Sequence, residues 1–574
     1  MSSSHPYETL EFDVLVIGAG GAGLRAAIEA AESKATVAVV SKSLLGKAHT
    51  VMAEGGIAAS LANVHKEDSW EVHFGDTMRG GQQTNQYRMA EIHAKESPDR
   101  VYELERWGAL FDRTPEGYIM QRAFGAHTYN RLCHVGDRTG LELIRTLQDK
   151  AVHCGIDFFM ETTMTRLLRD RHGITGAFGY RRIDGSLLLI KAKSVVIATG
   201  GWGRVYKVTS NSWESTGDGV AMAYEIGAEL MDTEFVQFHP TGMVWPPGVR
   251  GILVTEAVRG EGGYLYNNKH ERFMLEYDPK KKELSSRDVV ARSIYKEALA
   301  GRGSEHGGAY LDITHRPGAY IKAKLPSMWE QFHTLANVDI TKQAMEVAPT
   351  VHYAMGGIRV DPETEATNIP GLYAAGEAAA GLHGSNRLGG NSLSDILVFG
   401  RRAGAAAAEY AAARAGASLE IDGADIDEEQ RVLFAPLTRE AGENPYKVHE
   451  TLQEIMADKV GIARDQTGLE SGLRAILELR EQAGHIAVTG GTTYNPAWNI
   501  ARDDLFMLTV AEAITRSAIE RTESRGAHWR LDYPEKSEAQ GAINYVVRRV
   551  HEAMEVSGRP NARPPHELES MIAA

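Results

Sequence analysis

Cysteine is almost absent. The chain of 574 residues has two, Cys133 and Cys154, neither in a Cys-x-x-Cys pair nor beside a histidine cluster. No disulfide framework and no metal site is expected, and no iron–sulfur centre can be built from this chain's own thiols. Two reduced thiols suit a reducing compartment. Long apolar runs are also missing: nothing approaches the eighteen residues that a spanning helix requires. Positive charge is in deficit, with 62 Lys and Arg against 76 Asp and Glu and a net charge of -14. A nucleic-acid binder would need a basic face to meet phosphates, so that class is excluded. The opening MSSSHPYETLEF has neither an apolar stretch nor an Arg-rich amphipathic one and reads as a short exposed tail without a targeting signal.

What remains is an ordinary globular composition, 43% hydrophobic and 24% charged. It is long enough for two to four domains and a sizeable core. FDVLVI at 12–17, GAGGAG, then LRAAIEAAES reads as strand, Gly-rich turn and helix, and TVAVV at 36–40 supplies the next strand of a βαβ unit. SVVIATGG at 194–201 and GLYAAG at 371–376 are further buried strands ending in glycine. The expected class is α/β: a Rossmann-type dinucleotide domain in two parts, 1–232 and 350–420, an α+β domain inserted at 233–349, and a mainly helical 421–574 ending in an irregular Pro/Arg-rich tail. Lys280, Lys281 and Lys282 read as a solvated loop.

Gly18, Gly20 and Gly23, with Gly21 between them, form GxGxxG at the strand–helix junction. The first permits the tight turn, the second lets backbone approach a pyrophosphate, and the third lets helix and strand pack closely. The second strand ends in Ser41-Lys42 where this fingerprint usually carries an acid for the ribose. Glu377 and Asp218 are candidates for that role, Asp218 equally for a plain N-cap.

Beyond this fingerprint come HTVMAEGGIAAS from His49, then QFHPTG, LVTEAVRGEGG, SSRDVVARSI, PTVHYAMGG, GLHGSNRLGGNSL and ESRGAHWRLDYPE, in that order. Together they resemble the flavoprotein subunit of succinate dehydrogenase and fumarate reductase, over nearly the whole chain. The resemblance implies FAD, held by the glycines, Ser41, Lys42, Thr50, Glu54, Gly55, Gly56, Asp218, Glu377, Asn391, Ser392 and Leu393, and bonded covalently to His49. It implies oxidation of succinate by hydride transfer to the flavin. His239, Thr255, His352 and Arg387 would bind substrate, and Arg287 would exchange the proton through Glu256 and Arg259. Arginine holds its proton with a pKa above about 12, so such a role needs a relay. Glu256 and Arg259, three apart, share a face if helical. The family's Thr-Glu-Gly reads Thr-Glu-Ala here, with Ala257 in place of glycine, which weakens the match at the relay.

The inserted region resembles the family's mobile capping domain, which puts the site between it and the flavin domain. A negative charge on Glu54 would disfavour the anionic reduced flavin. The direction is read as succinate oxidation, with fumarate reduction the alternative. L-Aspartate oxidase resembles this family but lacks the covalent bond. A soluble fumarate reductase would need a haem motif, Cys-x-x-Cys-His, which is absent. A flavin electron carrier would have no use for a dicarboxylate site. The implied partners are a separate iron–sulfur subunit with, beyond it, a membrane anchor reaching quinone. The chain would then be peripheral, on the cytoplasmic side of the membrane.

Overall fold

A computed structural model describes residues 5–573. At its centre is a seven-stranded sheet. Strand β1 (Tyr7–Ile17) pairs in parallel with β2 (Val37–Val40) on one side and with Leu187–Ile197 on the other. Asp157–Phe159 lies outside β2, and Leu372–Ala374 joins Leu187–Ile197. The antiparallel hairpin Thr162–Asp170 and Gly173–Arg181 extends the far edge. A sheet covered on both faces needs strands apolar on both sides, as VLVI, VAVV and SVVI are. The expected N-terminal tail is corrected from Tyr7 onward. Its residues pair with the neighbouring strand from Tyr7↔Leu187 to Leu10↔Ile190, so a segment with exposed side chains is still part of the sheet. Met1–Ser4 lie outside the described residues.

One face is covered by helix α1 (Gly21–Glu32) and the long helix Asn391–Ala413. They approach closely enough for glycine alone: a Cβ on Gly404 would sit 2.2 Å from Ala26 O, and one on Gly400 2.7 Å from Ala22 O. The segment after Asp232 forms a separate four-stranded sheet of Val236–Met243, Met345–Ala354, Ala309–Asp312 and Tyr264–Tyr266. It has its own apolar core, and helix Arg287–Leu299 packs on it.

After residue 420 come the long helices Gly423–Thr438, Pro445–Lys459, Gln466–Ala483 and Pro496–Glu520. Two strands there went unread in the sequence: Ile543–Val550 and Ala553–Pro560 form a hairpin whose partner, Leu230–Met231, is more than three hundred residues away. Nor is the tail irregular throughout, because helix His566–Ala573 follows Pro565. Among the described residues no helix is long and apolar enough to cross a membrane.

The parallel strands end on one side of the central sheet, and Ile17, Val40, Ala198 and Ala375 there open into one cleft. Open α/β sheets bind ligands at this edge. Overpacking a closed helix–helix contact costs about 1–3 kcal/mol. Gly404→Val should therefore lower the thermal midpoint by several degrees, read by calorimetry, and an unchanged midpoint would show that the two helices are not in register as described.

Candidate active site

The cleft encloses roughly 1470 Å³, part of it open to solvent, and runs from the glycine turn to Arg387. At one end Gly18 holds φ +114°, and a Cβ there would lie 2.2 Å from Ala198 O. Gly20 has space above it, the nearest atom to a Cβ being Thr50 Oγ1 at 3.5 Å. Lys42 does not point a free amine into the cleft. Its Nζ bonds Asp503 at 2.7 Å, Thr216 at 2.9 Å and Asp218 at 3.0 Å. One oxygen of Asp218 is thereby held, while Oδ1 is buried without a partner. Thr199 Oγ1, Ser212 Oγ and Glu214 Oε2 are orphaned along the same wall. Buried polar atoms are nearly always hydrogen-bonded. A glycine cradle followed by a row of orphaned polar atoms fits a dinucleotide.

His49 opens a single helical turn, His49–Met52, at the next stretch of wall. Burial pushes its imidazole down to about 4, against the pull of Glu214, so it is neutral. The Ser212 N–H lies 3.4 Å from Nδ1. Gly55 and Gly56 follow, and the Arg122 guanidinium donates to the carbonyls of Glu54 and Gly55 at 2.7 and 2.8 Å. Burial, reinforced by Asp137, raises the Glu54 carboxyl well above its ordinary range despite Arg122 and Thr255. That direction favours the protonated carboxyl and weakens the charge effect expected of Glu54 on a reduced flavin.

The far end is cationic. Gln237 Oε1 accepts from Arg287 Nη1 at 3.1 Å and from Arg387 Nη2 at 3.2 Å. Gln237 Nε2 donates to Asn386 Oδ1 and to the Arg387 carbonyl. Arg287 Nε donates to Glu256 Oε2 at 2.9 Å, and Arg259 Nη2 stands 3.6 Å from that same oxygen. Glu256 begins the short helix Ala257–Gly260, which gives the pair Glu256 and Arg259 its shared face. Burial raises the Glu256 carboxyl, but Arg259 and Arg287 outweigh it and bring it to about 2. Burial, then the charge of Arg287, brings Arg387 down to about 9. Its guanidinium lies over the Tyr353 ring at 4.3 Å, with Nη1 bonded to Ser392 Oγ and Nε unpartnered. His239 and His352 stack edge to face at 5.1 Å. Both are kept neutral by burial first, then by Arg287 for His239 and by His239 itself for His352.

Of the residues singled out in the sequence, Gly18, Gly20, Gly21, Ser41, Lys42, His49, Thr50, Glu54, Gly55, Gly56, Asp218, His239, Thr255, Glu256, Arg287, His352, Glu377, Arg387, Ser392 and Leu393 line this one cleft. Three do not. Gly23 packs on the glycine turn, where a Cβ would meet Gly18 O at 1.8 Å. Arg259 stands behind Glu256, wholly buried. The Asn391 side chain faces away from the cleft: its amide spans His73 and Thr77 at 3.0 Å each. Reading the sequence missed Gln237, Arg122, Ser212 and Tyr353. Gln237 was legible, since a strand places it on the same face as His239, two residues on. Arg122 and Ser212 sit in stretches without pattern.

Comparison with known proteins agrees with this geometry. A family described as FAD binding domain matches residues 13–393, and one described as fumarate reductase flavoprotein C-term matches 449–560. The flavoprotein subunit of succinate dehydrogenase from Coxiella burnetii is 40% identical over 566 residues, covering 94% of each chain. A subunit of the fumarate reductase (CoM/CoB) of Methanothermobacter marburgensis is 47% identical, covering 92% of this chain and 95% of its own. Among solved structures, Mycobacterium smegmatis Sdh1 in complex with UQ1 superposes with a TM-score of 0.88 at 53% identity, covering 98% of this chain and 96% of that one. A quinol–fumarate reductase with menaquinol molecules gives 0.91 at 35%, covering 97% and 99%. Fold and cleft define an FAD-dependent oxidoreductase. The chain belongs to the succinate dehydrogenase/fumarate reductase flavoprotein family.

The buried neutral histidines set an acid limit. His93 and His127, which carry no cofactor in this reading, are both depressed by burial, to about 3 and 4. Unfolded histidine takes up a proton near pH 6.5, whereas these do not until far lower. Their contribution is thus intact above about pH 6.5 and is lost as pH falls toward 4, at about 1.4 kcal/mol per histidine per pH unit. Thermal midpoints measured between pH 7.5 and 5 should fall steeply below 6.5. A flat profile would mean that these imidazoles are solvated.

Proposed function

We propose that the cleft takes succinate or fumarate, that Arg287 exchanges the proton at carbon, and that FAD is carried covalently on His49. The observation that carries this reading is the charge balance. Arg259 and Arg287 converge on the carboxylate of Glu256, and Arg387 joins Arg287 on Gln237, so three guanidiniums stand beside one ionised acid, Glu256, the half-titrated Glu377 and two neutral histidines. Buried charge is costly unless paired, and a dianion supplies the missing negative charge. Arg387, with Nε unpartnered, offers a planar fork to one carboxylate. His352 stands beside it, and His239 and Thr255 serve the other end.

FAD, when bound, supplies the two-electron acceptor or donor. Arg287 is aimed by Gln237 and Glu256 and delivers or receives the proton. Glu256, bonded to Arg287 and close to Arg259, passes that proton onward. Two other guanidiniums nearby lower the cost of a transiently neutral Arg287. Gly18, Gly20 and Gly21 with Thr50 would hold the pyrophosphate, Asp218 and Glu377 the sugar and ribityl hydroxyls, and Ser392 and Leu393 the flavin end. A neutral His49 has the lone pair that bond formation requires. Once one nitrogen is tethered, the other still accepts from Ser212 N–H.

We read the reaction in the direction of succinate oxidation. The 47% identity to a protein named fumarate reductase favours reduction as a second reading. Electrons would leave to a separate iron–sulfur subunit, then to a membrane anchor and quinone on the cytoplasmic side. Met52, Leu141 and Trp213, each 41–50% exposed, flank His49 and suit such an apolar contact.

Arg287→Ala should lower turnover by about 10²–10⁴-fold, the range for general acid–base catalysis, with the yellow colour retained. Near-normal turnover would remove Arg287 from the reaction. On a denaturing gel the wild-type band should fluoresce as flavin and the His49→Ser band should not. Equal fluorescence in both would move the attachment elsewhere.

A further inference from the structure

Behind the cleft, three histidines from three elements converge on one turn. His73 lies on helix Trp70–Gly80, His93 on helix Tyr87–Arg106, and His127 in a later loop. The turn is Gly389–Ser394, which follows Arg387 and opens the long helix Asn391–Ala413. His127 Nε2 bonds Gly389 O at 2.7 Å, and a carbonyl can only accept. His73 Nε2 bonds Asn391 Oδ1 at 3.0 Å, the amide nitrogen being used on Thr77. His93 Nε2 bonds Ser394 Oγ at 2.8 Å, and that hydroxyl also lies 3.2 Å from the Asn391 carbonyl. His127 and His73 therefore donate from Nε2–H, and between His93 Nε2 and Ser394 Oγ either group can donate. Each Nδ1 is buried without a partner.

We propose that His73, His93 and His127 are positioning residues, a clamp of three imidazoles that holds this turn in register with the cleft. The turn needs holding, because Gly389 and Gly390 succeed one another and Gly390 sits at φ +85°. Its placement reaches both arginines. Ser392, inside the turn, accepts from Arg387 Nη1 at 2.8 Å. A Cβ on Gly389 would come within 3.3 Å of Arg287 Nη2, so this backbone lies directly under that guanidinium. Ser392 and Leu393 line the cleft itself. A protonated imidazole would carry a second N–H at an Nδ1 that has no hydrogen-bond partner, which favours the neutral form, although Asp76 and Glu256 oppose it at His127. Burial keeps all three neutral, aided by Arg131 for His73 and His127 and by His383 for His93.

The inference rests on the dicarboxylate reading for its substrate effects and on FAD binding alone for its effect on the flavin. The test uses the FAD-loaded protein and three variants. His93→Gln keeps a hydrogen-bonding group near the Nε2 position, His93→Leu removes it, and Ser394→Ala removes its partner. Losing one side of a buried hydrogen bond at the low end of its usual cost, about 1.4 kcal/mol, is tenfold in an equilibrium. His93→Leu and Ser394→Ala should raise KM for succinate about tenfold with a smaller change in kcat, and should shift the flavin midpoint potential. His93→Gln should stay within about twofold of wild type. If His93→Leu does not fold, Ser394→Ala carries the comparison from the other side of the bond. Identical behaviour of Leu and Gln variants, or an unmoved KM and potential in Ser394→Ala, overturns the clamp. A potential that shifts in protein unable to bind succinate supports the clamp and sinks the substrate reading instead.

Discussion

Two guanidiniums share one amide oxygen at the heart of this protein. Gln237 Oε1 receives Arg287 and Arg387 at 3.1 and 3.2 Å, and all three side chains are buried. Like charges this close repel by about a few kcal/mol even at an effective dielectric of 20. Glu256 offsets part of that from one side, and the Tyr353 face and Ser392 hold Arg387 from the other. The remaining positive charge is what an anionic ligand would meet. The four-stranded sheet carries Gln237, and the turn before helix Asn391–Ala413 carries Arg387, so the arrangement exists only while these two parts of the chain stay in contact.

Neutral groups surround that charge for a physical reason. Burial first, and the arginines and the neighbouring imidazole after it, disfavour a second proton on His239 and His352. Glu54 moves the other way, because burial, reinforced by Asp137, raises its carboxyl more than Arg122 and Thr255 lower it. A carboxylate at the same depth behaves oppositely when guanidiniums touch it, as Glu256 does at about 2. Burial raises both acids, and direct contact with two guanidiniums reverses it only at Glu256.

Much of this was legible in the sequence. The strand–glycine–helix pattern from Phe12 to Ser33 announces the parallel sheet, because apolar runs and a Gly-x-Gly-x-x-Gly turn leave few alternatives. Motifs scattered from His49 to Leu393 pointed to one cleft by resemblance. What stayed hidden depends on pairing across long separations or on direction within a motif. The hairpin Ile543–Pro560 is specified by its distant partner, Leu230–Met231. Asn391 sits among cleft residues in sequence, yet on a helix neighbours point about a hundred degrees apart, and its side chain leaves the cleft for His73. The charge state of Glu54 needs a depth that no single sequence displays.

The most direct measurement is anaerobic titration of the purified flavoprotein with succinate, following flavin absorbance near 450 nm. The account predicts bleaching that saturates with succinate, returns on adding fumarate, and is blocked by a non-reacting dicarboxylate such as malonate. A flavin that stays oxidised under succinate, and does not reoxidise with fumarate after chemical reduction, would contradict it.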